Sequence, residues 1–273
     1  NICEPILLGH TKRINAVKEE LGLEFKCETI DVRYDPRRRG AYAKEFHKLR
    51  GRKGLTMEDA VRLLKTTTYF GPMMVHMEDA DGYLGGISHN YPDIVKPCLQ
   101  TIGPAIDTHR IVGMYMMTVN GQLMFIGDAT INIYPDSRTL AEIAVQTAKV
   151  ARRFGVKPKV AMLSFSNFGT SGEMRTDRIE EAVQIARELD PGIIIDGPMQ
   201  ADTALIEEIQ GNYPFMEFEG AANVLICPNL ASANIAYKLL QRIAGAEMTG
   251  PILEGLAKPA HVLQRDDSVR EVV

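Results

Sequence analysis

The stretch Asn223–Ile243, NVLICPNLASANIAYKLLQRI, decides how the rest of the chain is read. Asn223-Val-Leu-Ile-Cys227 is a short apolar run closed by Pro228, the pattern of a strand buried on both faces. A polar turn follows, carrying Asn229, Ser232 and Asn234. Helical periodicity then runs from Ile235 to Ile243 and predicts Ile235, Leu239 and Leu240 inward. Lys238 and Arg242 stand four apart on another face. A strand feeding directly into a helix is the building unit of α/β proteins, and the turn between them is where such proteins take anions. Downstream, Gly250-Pro251 leads through Gly255–Pro259 (GLAKP) to Gln264-Arg265. Cations gathered beside such a turn suit a phosphorylated ligand. A solvated basic helix face fits the same spacing, so both readings stand at this level.

Working outward, the same alternation recurs. Predicted strands are Pro5–Gly9, Thr29–Val32, Met73–Met77, Lys159–Phe165 and Gly192–Asp196. Predicted helices include one with Ile14, Val17 and Leu21 on one face, then Ala41–Arg50, and Met57–Leu64 capped by Thr56 with Asp59. Another is expected near Asp93. Tyr34–Gly40 reads as a basic turn. Ile111–Val119 and Gln122–Ile126 flank Asn120-Gly121, a strong hairpin signal. Thr139 and Glu142 read as a capping box opening a helix from Leu140 to Phe154. Asp177–Leu189 and Asp202–Ile209 are further helices. Strands alternating with helices predict an α/β fold with mostly parallel sheets.

Composition narrows the function classes. A chain of 273 residues holds two α/β lobes or one large domain. Its formal net charge of -4 argues against a general nucleic-acid binder. No apolar run reaches the roughly 20 residues of a membrane span, and no signal peptide is visible. Cys3, Cys27, Cys98 and Cys227 are scattered, and Cys98 and Cys227 read as reduced core residues, which fits a cytoplasmic protein. The first residue is Asn1, almost inside a strand, so the chain is expected to be part of a longer polypeptide.

Three loops after strands are candidate sites: Asp79–Pro92, Ser164–Gly172 and Asn229–Asn234. Ser164–Gly172 has the composition of a phosphate cradle but neither P-loop nor dinucleotide-binding spacing. The acidic residues Glu78, Asp79 and Asp81 read as a solvated turn, not a metal site. His89 reads as a hydrogen-bonding residue, and Ser166 and Ser171 lack an identifiable base. Arg37–Arg39 reads as a solvated turn, and Met114, Met116 and Met117 as strand packing.

The chain resembles the phosphate acetyl/butyryltransferase family along its length. The resemblance runs through PILLG (Pro5–Gly9), DPRR (Asp35–Arg38), LRGRKGLTMEDA (Leu49–Ala60), EDADG (Glu78–Gly82) and GDATINIYPDSRTLAEIA (Gly127–Ala144). It continues through KVAMLSFSNFG (Lys159–Gly169), IIIDGPMQAD (Ile193–Asp202), NIAYKLLQR (Asn234–Arg242) and GPILEGLAKP (Gly250–Pro259). Members of that family transfer an acyl group between coenzyme A and phosphate. The resemblance implies a two-lobed isocitrate/isopropylmalate dehydrogenase-like fold with an interlobe cleft, paired as homodimers. It implies lobe one as residues 1–103 completed by 260–273, and a dimerising lobe two as 104–259.

Residue by residue, the family's active-site arginines match Arg50, Arg242 and Arg265. A further family arginine is Lys96, which keeps charge but loses the bidentate fork. The serine of the family's NDLSRG motif is Gln264, and the preceding Asn-Asp pair is His261-Val262. The aspartate that serves as base toward the coenzyme A thiol falls at Glu271. The Ser and Thr of an H-S-T segment become Asn90 and Tyr91. These departures at Gln264, Glu271, Asn90 and Tyr91 argue against efficient turnover, because proton transfer depends on reach within about 3 Å. No residue is therefore assigned as catalytic.

The patterns SHNYPDIVKPCLQTIG (Ser88–Gly103) and LSFSNFG (Leu163–Gly169) are similar to the C-terminal domain of hybrid NADP-dependent malic enzymes. That resemblance implies a regulatory domain that binds acetyl-CoA or CoA and controls malate oxidation to pyruvate by an N-terminal malic enzyme domain. NADP and a divalent metal would belong to that other domain, and the parent would form a higher oligomer. The implied ligand residues are Arg265, Gln264, Arg242, Lys238, Asn234, Lys258, Arg50 and Lys96, with no metal, nucleic-acid or membrane partner. Two other classes remain: an active phosphate acetyltransferase, and an oligomerisation domain without a ligand.

Overall fold

The apolar run at Val224 is one strand of a six-stranded sheet in a computed structural model. The structure describes residues 3–106, 108–119, 121–168, 174–264 and 269, without the side chains of 174–176. In chain order the elements are β1 (Ile6–Leu8), α1 (Thr11–Glu20), β2 (Glu28–Ile30), α2 (Pro36–Arg50), α3 (Met57–Leu63), α4 (Thr67–His76), β3 (Tyr83–Gly85) and α5 (Tyr91–Thr101). Then come β4 (Val112–Val119), β5 (Gln122–Gly127), α6 (Ser137–Arg153), β6 (Val160–Leu163), α7 (Met174–Leu189), β7 (Ile195–Met199), α8 (Ala201–Leu205) and α9 (Glu207–Gln210). The chain continues with β8 (Val224–Ile226), α10 (Leu230–Ile243), β9 (Glu247–Glu254) and β10 (Ala260–Val262).

These elements divide into two compact units, residues 1–105 with 256–266, and residues 106–255 with 267–273. In the second unit the sheet order is β7-β6-β8-β5-β4-β9. The pairs β7-β6, β6-β8 and β8-β5 are parallel, while β4 pairs antiparallel with both β5 and β9. Alternation within each strand sends side chains to two faces. Val224 and Ile226 enter one core with Phe125, Leu140 and Val183, whereas Leu225 and Cys227 enter another with Tyr115 and Tyr237. The hairpin pairing of β4 with β5 is present, and its Asn120 lies outside the described residues.

The first unit contains two separate parallel strand pairs, β1-β2 and β3-β10. Its larger core, around Tyr42, Phe46, Phe70 and Met73, is mainly helical. All described sheets together are α/β and mostly parallel.

Several sequence expectations are corrected. Met73–Met77 is not a strand: Phe70–Val75 is a fully buried run within α4 and its Cα path is helical. A run buried on all sides has no polar period to separate helix from strand. The Tyr34–Gly40 turn is largely the start of α2, with Pro36 at its head and the Asp35 carboxylate accepting from Arg38 N at 3.0 Å. The α6 cap is Asp136, which accepts from Thr139 N at 2.8 Å. Thr139 itself is buried inside the helix, and Glu142 pairs with Arg138 at 3.1 Å. Strand β7 extends through Gly197-Pro198, and Asp202–Ile209 is broken at Ile206 into α8 and α9. On α1, the Ile14, Val17 and Leu21 face is only weakly covered: Ile14 is half-buried, and Val17 and Leu21 are exposed.

Candidate ligand-binding site

Helix α10 begins where β8 ends. Asn229 caps it, its Oδ1 accepting from Ser232 N and Ser232 Oγ, both at 2.9 Å. Ala233 and Tyr237 point inward, Tyr237 stacking on Tyr115 at 4.2 Å between ring centroids. This corrects the predicted face: Ile235 and Leu239 are 60% and 52% exposed, and only Leu240 of that trio packs against the core. The tyrosine ring, with the larger buried surface, sets the rotation of the helix. Asn234, Lys238 and Arg242 consequently form one stripe at four-residue spacing, with Lys238 and Arg242 exposed. Lys238 Nζ also lies 5.1 Å from the Tyr237 ring centroid.

The loops flanking this helix start are tied to one another. Asp128, buried after β5, accepts from the backbone N–H of Thr130, Ile131 and Asn132 at 2.8, 3.1 and 2.9 Å. Burial pushes its carboxyl up, and those N–H groups with the Asn132 side chain pull it back. Leu230 N donates to Ile133 O at 3.2 Å. Arg178 of α7 donates to Pro135 O and to Pro228 O, both at 2.9 Å. In the Ser164 loop, Asn167 is buried and bonds Gln200 and Tyr213, while Phe168 adopts φ 47°. Of this loop, 169–173 lie outside the described residues, including Ser171.

In the first unit a second group of residues leaves one end of the β3-β10 pair. Gly85 is registered on Val262, and Leu263 N donates to Gly85 O at 2.8 Å. A Cβ on Gly86 would lie 2.0 Å from Leu263 O, and Gly86 has φ 144°, so only glycine fits. The loop then turns through Ile87, at a strained φ of 37°, to Ser88 and His89. His89 Nδ1 is 3.2 Å from Ser88 Oγ. Asn90 precedes α5 and donates to Asp93 at 3.2 Å, and Tyr91 opens the helix. Gln264 follows β10 from the same end of the strand pair, half-buried.

Arg50, Lys96 and Lys258 belong to the same unit. Arg50, half-buried, ends α2, and its charge offsets part of the burial that raises the Tyr69 hydroxyl. Lys96 is exposed on α5. Lys258 is paired with Glu78 at 3.0 Å. Tyr42 donates to Asp79 and Lys258 to Glu78, while both carboxylate residues stay exposed on their turn, as a solvated turn requires. Arg265 and Glu271 lie outside the described residues. Among the described residues no group of three His, Cys, Asp or Glu could hold a metal. Cys98 and Cys227 are buried, and burial pushes both thiols up to about 12. No described helix is long and apolar enough to cross a membrane.

Comparison with known proteins fixes the family. Residues 1–273 match the family described as phosphate acetyl/butaryl transferase. The chain belongs to that family. It is 36% identical over 275 residues to a phosphate acetyltransferase of Corynebacterium glutamicum, covering 100% of this chain and 83% of that protein. It is also 36% identical over 280 residues to an NADP-dependent malic enzyme of Salmonella typhimurium, covering 100% of this chain but 37% of that protein. A phosphotransacetylase from Streptococcus pyogenes superposes with a TM-score of 0.92 at 35% identity, covering 98% of this chain and 82% of that one. A Salmonella typhimurium structure titled as a putative 4-hydroxythreonine-4-phosphate dehydrogenase matches at a TM-score of 0.53 and 13% identity, a likeness of fold alone.

Proposed function

We propose that this family member is a coenzyme A-binding regulatory domain with an altered transferase site, acting on an NADP-dependent malic enzyme domain in the same polypeptide. The observation that carries the reading is Gln264. It follows β10 at the end of the pair from which the Gly86–Asn90 loop also departs, where the family resemblance puts a serine. A carboxamide there is longer than a hydroxymethyl group, and Tyr91 at the head of α5 adds bulk where the resemblance puts a threonine. Asn234, Lys238 and Arg242 supply a polar and cationic stripe suited to the phosphates and amides of acetyl-CoA or CoA. The match to a malic enzyme more than twice as long supports the fusion. Malate oxidation with NADP and a divalent metal belongs to that further domain. For acetyl-CoA to regulate it, the ligand must favour one state of the assembly over another.

The two-lobed isocitrate/isopropylmalate dehydrogenase-like description and the homodimer belong to the same proposal. Ile235, Leu239 and Ile243 repeat every four residues on α10 and are each more than half exposed, which supports a second copy as the partner of this helix.

Active phosphate acetyltransferase is the second reading, favoured by the match to transferases that extends over 83% of the Corynebacterium glutamicum protein. Calorimetric titration with acetyl-CoA and a phosphate-dependent CoA release assay on the same sample separate the two. Micromolar binding without turnover supports the regulatory domain, and clear turnover overturns it in favour of the enzyme. Absence of both leaves an oligomerisation domain.

A further inference from the structure

We propose that Arg178 is the positioning residue of the α10 ligand face, an inference that rests on coenzyme A binding to that face. Arg178 lies near the start of α7 and is half-buried. Its two terminal nitrogens donate to Pro135 O and Pro228 O, each at 2.9 Å, and its Nε is buried with no hydrogen-bond partner among the described residues.

The two carbonyls hold equivalent places. Pro135 immediately precedes Asp136, the cap of α6, and Pro228 immediately precedes Asn229, the cap of α10. They lie on the loops that leave β5 and β8, which are parallel neighbours in the sheet. One planar guanidinium therefore sets the separation of two helix starts. Arginine suits this task because its donors form a rigid fork, whereas a lysine ammonium is a point charge on a flexible stem. Further ties between these segments are the Leu230 N–H to Ile133 O bond at a longer 3.2 Å and, at their root, the Cys227 N–H to Gly127 O bond at 3.1 Å.

The consequence for the ligand face is geometric. Asn234, Lys238 and Arg242 repeat every four residues, so a tilt of α10 at its first turn moves all three together. Displacements near 1 Å in a positioned group cost up to about a hundredfold in function. Loss of the fork should therefore lower affinity for coenzyme A by about tenfold without removing any group that touches the ligand. Burying a guanidinium with an unpartnered Nε gives up hydrogen-bond energy, which is consistent with a residue retained for geometry.

The test compares wild type with Arg178→Met, Arg178→Lys and, as a direct-contact control, Arg242→Ala. Coenzyme A affinity is read by titration calorimetry and folding by thermal unfolding of the same samples. Affinity about tenfold weaker in Arg178→Met at a nearly unchanged Tm, partly restored in Arg178→Lys, supports the proposal. Unchanged affinity in Arg178→Met while Arg242→Ala is weakened overturns it and leaves coenzyme A binding intact. A lowered Tm with unchanged affinity also overturns it, since Arg178 is then only a fold staple. If Arg178→Met does not fold, Arg178→Lys decides: affinity at least threefold weaker supports the proposal, and equal affinity overturns it. Wild type that fails to bind coenzyme A overturns both this inference and the reading beneath it.

Discussion

The two units solve the same problem in different ways. The unit of residues 106–255 hangs its helices on one continuous six-stranded sheet with a core on each face. Among its described residues, the unit of residues 1–105 and 256–266 has two strand pairs, and its main core is formed among helices. The difference shows in the two candidate groups, one in each unit. Asn234, Lys238 and Arg242 ride on a long capped helix whose rotation is set by a buried tyrosine. Asn90, Tyr91 and Gln264 instead depend on one close backbone approach, Gly86 against Leu263. In the second arrangement a single added Cβ at Gly86 meets the Leu263 backbone.

The sharpest way to break that comparison is to empty each core. Phe125→Ala in the sheet unit and Phe46→Ala in the helical unit each remove a fully buried ring, at a cost of about 3–5 kcal/mol. Hydrogen exchange should show Phe46→Ala deprotecting α2 and α4 while β5, β6 and β8 stay protected. Equal deprotection of both units would erase the distinction. Next in size is Gly86→Ala, where φ 144° and the Leu263 carbonyl both oppose a Cβ. A loss of about 1–3 kcal/mol in urea unfolding is expected, together with weaker ligand binding through Gln264. A neutral result would mean that β10 can shift freely.

A smaller effect attends Asp136→Asn and Asp136→Ala at the start of α6. The alanine variant should lose about 1 kcal/mol. Bonds from Thr139, side chain first and backbone second, hold the Asp136 carboxyl below its ordinary 3.8. A depressed folded value means that the stabilisation is present above pH 3.8 and fades as pH falls through the folded value. The Asp136→Asn chain should therefore show a shallower loss of stability below about pH 4. An identical acid profile would remove Asp136 from the account. The smallest change in stability is expected for Leu239→Asp on the exposed side of α10. Sedimentation should show the proposed homodimer dissociating, while an unchanged molecular mass would move the contact elsewhere.

Legibility in the sequence followed the same division. The β4-β5 hairpin and the strand-to-helix order from β6 to α10 could be read because their periods alternate and their turns carry Gly, Pro or Asn. Helix α4 could not, since Phe70–Val75 is apolar throughout and carries Pro72 inside it. On α10 the spacing of Lys238 and Arg242 was readable, but the inward face was not, because aliphatics occur on two sides and only packing on Tyr115 chooses between them. Asn90, Tyr91 and Gln264 came from the family resemblance, and the structure adds the strand pair that they leave together. Arg178 carried no readable signal: its partners are backbone carbonyls, which any residue can offer.

The β3-β10 pair has a consequence for the order of synthesis. Tyr83–Gly85 is registered on Ala260–Val262, so a ribosome must make all of residues 106–255 before the partner strand exists. Through that interval the Gly85 edge is an unpaired strand edge, open to the wrong partner. Contacts so distant along the chain also close slowly. The six-stranded sheet can therefore form while the helical unit still waits for β10, and the Gly86–Asn90 loop gains its neighbour at Gln264 only after the strands of that sheet have been made.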